Sequence, residues 1–209
     1  MCNVIPAGLV CFLPSYDYLD TVYAHLKKSG ILERISNKKH VFKEPRNITS
    51  KESCNRESTQ TVEQLLNDYA NAVKHNKGGA LLLSVVGAKL SEGLNFADDL
   101  GRGVIVVGMP YPNRNSPELQ ERMSYLDSTL GPGSGNEYYE NLCMKAVNQC
   151  IGRSVRHIRD YACVYLLDER YARDKMQRKL PQWISRYLQI ATTYGKVQGG
   201  TAKFFKQKR

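Results

Sequence analysis

A chain of 209 residues with 30 Lys plus Arg against 20 Asp plus Glu carries a formal charge of +10, which favours a polyanionic partner such as nucleic acid or nucleotide phosphates without requiring one. That length fits one domain, at most with a substantial insertion. No stretch approaches the roughly 20 apolar residues of a membrane span, "MCNVIPAGLVCFLP" lacks the basic start of a signal peptide, and the six cysteines include no C-x-x-C pair; a soluble protein with reduced thiols is expected, with neither a zinc site nor a disulfide ladder.

In chain order, "GLVCFL" (8–13) is the first of several short apolar runs that read as strands buried on both faces. A helix is expected over 15–30, opening at the N-cap candidate Ser15 and closing on Gly30. The polar segment 43–57 reads as a surface loop. Residues 58–79 carry apolar positions at helical spacing and end in a Gly pair. Strands follow at 80–86 and 103–109, separated by a loop, and "MPYPN" fixes a rigid turn that offers Tyr111 outward. Helix fits 116–130, 136–158 and 170–189, with a glycine-rich loop at 131–137 and a strand at 162–167. The basic stretch from Gly195 is expected to be a loosely held tail.

Strands alternating with helices predict a three-layer α/β domain over 1–194 with a mainly parallel sheet, followed by a tail, 195–209. Ligand sites are then expected at the carboxyl ends of strands, in the loops after 13, 86, 109 and 167. Neither a G-x-x-x-x-G-K-[ST] phosphate loop nor a G-x-G-x-x-G fingerprint is present.

Two stretches carry chemistry. If 136–158 is one helix, Gln149, Gly152, Arg153, Arg156 and Asp160 gather on one side while Val147, Ile151, Val155 and Ile158 take the other. Two guanidinium groups one turn apart suit a phosphate group, and Gly152 leaves room for a second surface. A solvated face with Asp160 pairing an arginine accounts for the same pattern. His157 reads as a packing or hydrogen-bonding histidine sooner than as a metal ligand. In the other stretch, the loop after 86 places Gly87, Lys89, Ser91, Glu92, Gly93 and Asn95 where phosphate or ribose could bind, although an ordinary crossover has the same form.

Taken together, "GLVCFLPSY" (8–16), "GAKLSEGLNFADDLGRGVIVVGMPYPN" (87–113) and "QCIGRSVRHIRDYA" (149–162) resemble motifs IV, V and VI of the XPD-like superfamily 2 iron-sulfur DNA helicases. "ENLCMKAVNQCIGRSVRH" and "LLDERYAR" are closest to their ChlR branch. The resemblance spans essentially the whole chain and corresponds to the second, C-terminal RecA-like motor domain. It implies an ATP-dependent DNA helicase moving 5′ to 3′, in the nucleus, in replication, repair and sister-chromatid cohesion. By the same likeness, Arg153 and Arg156 would reach the ATP γ-phosphate, with Gln149 ordering the site. Glu92, Gly93 and Asn95, with Gly152, would face the nucleotide, although the family often has Asp where Asn95 stands. Ser15 and Tyr16, with Lys89 and Arg114, would contact single-stranded or forked DNA. ATP with Mg²⁺ would be shared with the first motor domain of the same protein, and an iron-sulfur cluster is implied for the full-length protein outside this chain. Replication and cohesion factors are the protein partners implied, and no membrane. Met1 need not be a natural start. A non-catalytic nucleic-acid or partner-binding module, or an unrelated α/β enzyme of a phosphorylated metabolite, are the other readings of these residues.

Overall fold

The computed structural model describes residues 1–46, 62–88, 96–155, 157 and 159–208. Within them the strands are β1 (Gly8–Leu13), β2 (His40–Lys43), β3 (Ala80–Val85), β4 (Gly103–Val107) and β5 (Cys163–Leu167). They form one sheet in the order β2-β3-β1-β4-β5, and every pairing is parallel. The longer helices are α1 (Tyr16–Lys28), α3 (Val62–His75), α4 (Pro117–Leu130), α5 (Ser134–Ile151) and α8 (Tyr194–Gln207), with short turns α2 (Ile31–Ser36), α6 (Asp174–Gln177) and α7 (Gln182–Ser185).

Alternation along the strands separates two cores, because successive side chains point to opposite faces. Val10, Phe12, Leu82, Val104 and Val106 face α3 and α5, meeting Leu65, Tyr69, Met144, Val147 and Ile151. Leu9, Leu13, Leu81, Leu83 and Val85 face the other way, onto Leu19 of α1 and Phe205 of α8. This is the expected three-layer α/β domain. At the amino end of the sheet, buried Lys39 donates to the carbonyls of Ala7 (2.7 Å) and Gly78 (2.8 Å), and burial pushes its ammonium down to about 8. Gly79 lies beside this junction at φ 74, and a Cβ there would stand 2.0 Å from Ala7 O. Gly79→Ala should therefore lower unfolding free energy by about 1–3 kcal/mol through overpacking and left-handed strain, read as a fall in the denaturant midpoint.

Four expectations need correction. The helix expected over 136–158 ends at Ile151, and a tight turn replaces its continuation: the amides of Arg153 and Ser154 return to Cys150 O and Ile151 O, and the Ser154 hydroxyl also donates to Ile151 O. The helical placement of Arg153 and Asp160 on one face falls with it. The helix expected over 170–189 is broken into a 3-10 turn (Glu169–Ala172), α6 and α7, because Asp168 caps the Arg170 amide and Pro181 cannot donate to a continuing helix. The expected loose tail is helix α8, held by buried Phe205 and by the Tyr165–Thr201 hydroxyl pair at 2.8 Å. Finally, β2 occupies the end of a region without an expected strand, and Glu44 just beyond it is buried, although 43–57 read as a surface loop.

Candidate functional site

The segment between α5 and β5 is built around a buried ion pair. Arg102, immediately before β4, donates through Nη1 to Asp160 Oδ1 (2.9 Å) and to Tyr161 O (2.9 Å), and its guanidinium lies 4.0 Å from the Tyr161 ring centroid. The Asp160 side chain is fully buried, and it also accepts from the Tyr161 amide (2.8 Å) and, through Oδ2, from the Asp98 amide (3.3 Å). Because Gly103 pairs with Cys163 across β4 and β5, the pair closes the amino-terminal edge of those strands. Asp160 does pair with an arginine, but with one from another segment.

Further ties join the 152–162 segment to the crossover that enters β4. The Phe96 amide donates to Arg153 O at 3.1 Å, while the Phe96 ring packs edge-on against Phe12 and Tyr69 in the core. His157 Nε2 lies 3.0 Å from Asp98 Oδ1. The segment after α5 thus meets the described end of the crossover, residues 96–102, along one seam. Gln149 and Arg153 are partly exposed beside it. Gly152 is exposed at the α5 C-cap, where an added Cβ would meet carbonyls of its own helix, Asn148 O at 3.2 Å and Gln149 O at 3.8 Å. Its backbone is ordinary helical (φ −64). Arg156, Lys89, Ser91, Glu92, Gly93 and Asn95 lie outside the described residues.

The other site residues stand elsewhere. Ser15, after β1, caps α1 by accepting from the Tyr18 amide at 3.2 Å. Tyr16 donates its hydroxyl to Glu44 Oε1 at 3.3 Å; burial, then the Glu44 charge, pushes its phenol up to about 12, so it stays a neutral donor. Glu44 also accepts from Ser84 Oγ (2.7 Å) and the Val85 amide (2.9 Å), which ties β3 to the start of α1. Arg46 ion-pairs with Asp17 and with Asp20 (3.1 Å). Arg114 donates to Asn136 Oδ1 (3.1 Å) in the first turn of α5, whereas Gln149 is in the last, roughly 20 Å along the helix axis. Tyr111 does not point outward: it stacks on Tyr139 at 4.9 Å, and the Tyr139 hydroxyl donates to Pro112 O. The sheet therefore carries Ser15, Tyr16 and Arg114 at the carboxyl ends of strands, while the arginine-bearing segment leads into β5 from the opposite edge.

Asp98, Arg102 and Asp160 are the residues whose place in the seam sequence reasoning missed. The run of acid before base in "ADDLGR" is the local signal, but its partners lie in another segment. Asp98, His157 and Asp160 bring one ligand atom each within 4.8 Å of one another, yet Asp160 is already engaged by Arg102 and two amides. Among the described residues no cysteine belongs to a group of three or more side chains placed to hold a metal, and burial pushes the thiols of Cys11, Cys143 and Cys150 up to about 12, so the described cysteines do not fit an iron-sulfur cluster.

The model of the helicase C-terminal domain family matches residues 1–187. The Mus musculus protein named ATP-dependent DNA helicase DDX11 is 49% identical, the match covering 100% of this chain and 23% of that protein. The Caenorhabditis elegans protein named ATP-dependent DNA helicase chl-1 is 48% identical over 96% of this chain and 22% of its own length. The chain thus spans about a quarter of the length of these relatives. Among solved structures, an apo XPD is similar at TM-score 0.56 and 25% identity, over 83% of this chain and 30% of that one.

Proposed function

The chain belongs to the helicase C-terminal domain family, and from that premise we propose that it is the second motor domain of an ATP-dependent DNA helicase of the XPD and ChlR type. The observation that carries this reading is the seam. The Phe96–Arg153 bond, the Asp98–His157 contact and the buried Arg102–Asp160 pair hold the arginine-bearing segment against the crossover that resembles motif V.

On this reading Arg153 and Arg156 stabilise charge that develops on the γ-phosphoryl group of an ATP held by the first motor domain. Gln149 helps orient them. Glu92, Gly93 and Asn95 face the same nucleotide, and exposed Gly152 lets the other domain approach without meeting a side chain. Preorganisation matters because guanidinium groups fixed before the reaction cost no rearrangement during it. The phosphate cradle and the magnesium ligands belong to the other half, which agrees with the absence of a phosphate-loop motif from the sequence. Ser15 and Tyr16, with Lys89 and Arg114, contact the backbone of single-stranded or forked DNA, and closure of the cleft moves the domain along the strand, 5′ to 3′. The full-length protein works in the nucleus, in replication, repair and cohesion, and holds its iron-sulfur cluster outside this chain.

The division of labour is testable. The 209-residue chain alone should hydrolyse ATP at the buffer background with or without single-stranded DNA, and the full-length protein should show DNA-stimulated turnover. DNA-stimulated hydrolysis by the chain alone, or none by the full-length protein, would refute the proposal.

A further inference from the structure

Folding stability does not account for the contact between Asp98 and His157. Asp98 holds a left-handed backbone at φ 57, a conformation that costs a non-glycine residue and that points to function where the surroundings maintain it. Its partner 3.0 Å away is exposed, as Asp98 is, and an exposed pair adds little to stability. The buried Arg102–Asp160 pair already anchors the segment to the sheet. What the exposed pair adds is position. It grips the segment at His157, between the Asp160 anchor and Arg153, whose carbonyl is fixed by Phe96. The Asp98 amide meanwhile donates to Asp160 Oδ2, so the strained residue touches the segment at two points.

We propose that Asp98 and His157 are positioning residues, a latch that transmits the placement of the crossover before β4 to the segment bearing the arginines. It rests on the phosphoryl-transfer reading given above. With the latch closed, the end of the crossover and the arginine segment move as one body. With it open, the arginines lose their register while the fold, held by Arg102 and Asp160, persists.

The test uses the full-length protein with kcat and KM for ATP measured on single-stranded DNA, alongside Tm. Asp98→Gly removes the carboxylate and relieves the strained backbone together, so Tm should hold or rise while kcat falls about 10-fold, less than the 10²-fold that a 1 Å misplacement can cost. His157→Ala should lower kcat similarly with KM unchanged, and the double variant should be no slower than the worse single. His157→Gln, which can still donate to Asp98, should keep most of the activity. Wild-type kcat in the single variants, losses that multiply in the double, or losses that follow a fall in Tm would overturn the latch. Arg153→Ala in the same protein separates the two claims. If it abolishes turnover and Asp98→Gly does not alter it, the latch alone fails; if Arg153→Ala turns over normally, the phosphoryl-transfer reading fails and the latch with it.

Discussion

Arg153→Ala and Arg156→Ala in the full-length protein should each lower the DNA-stimulated ATPase kcat by about 10³-fold, the lower end of what an arginine supplied across a domain boundary contributes to phosphoryl transfer. Loss of this size follows from where charge appears. The transferring group spreads negative charge over its equatorial oxygens, and a guanidinium already fixed there acts in a site from which water is excluded. On the proposed mechanism both arginines serve one phosphoryl group, so the double variant should be far less impaired than the product of the singles. Lysine at position 153 should recover little, because a point charge does not reproduce the planar fork. Steady-state turnover with saturating single-stranded DNA checks all four variants.

The second large effect concerns stability. Asp160→Ala takes from the buried Arg102 guanidinium its buried carboxylate partner, leaving it only the exposed Asp99 carboxylate at Nε (3.0 Å), and frees the Asp98 and Tyr161 amides. Breaking one side of a buried pair costs about 3–5 kcal/mol, which for a domain of this size lowers Tm by roughly 10 °C. Replacing both partners by apolar residues, Arg102→Met with Asp160→Leu, should recover much of that loss, since neither charge is then stranded. ATPase should recover less than stability does, because the Asp98 amide loses Asp160 Oδ2, one of the two ties of Asp98 to the segment, and only the contact with His157 is kept. Thermal unfolding and turnover measured on the same three proteins separate packing from positioning.

Much of the fold is legible because its strands are local and strongly patterned. "GLVCFL", "ALLLSVV" and "GVIVVGM" are apolar runs too short for helices, and the periodic segments between them require crossovers and hence parallel pairing. The four-residue β2 escapes notice, since "HVFK" has a polar residue at each end and is an edge strand with a single neighbour, β3. The end of α5 escapes for a different reason. The apolar spacing of Ile151, Val155 and Ile158 continues past it, while the tight turn at Ser154 and the pull of Arg102 on Asp160 are tertiary effects that local periodicity does not register. The α8 helix was hidden by composition: three glycines and several lysines read as a tail, yet Thr201 and Phe205 fall one turn apart and are buried.

The site divides in the same way. Arg153, Gln149 and Gly152 are visible as residue types at suggestive spacing, but the geometry first expected for them, one helix face, does not exist. Their neighbours Asp98 and Arg102 come from a segment roughly 50 residues away, brought in by the register of Gly103 on Cys163. A pattern of charges within one segment could not disclose that.

The central claim is that the arginines after α5 act on the chemical step of an ATP bound elsewhere, and single-turnover hydrolysis tests it most directly. Full-length protein preloaded with ATP and mixed with single-stranded DNA and Mg²⁺ gives the rate of that step apart from binding and release. Arg153→Ala should bind ATP nearly as the parent does and hydrolyse it at least about 10³-fold more slowly. Hydrolysis at the parent rate, with or without weakened ATP binding, would contradict the account.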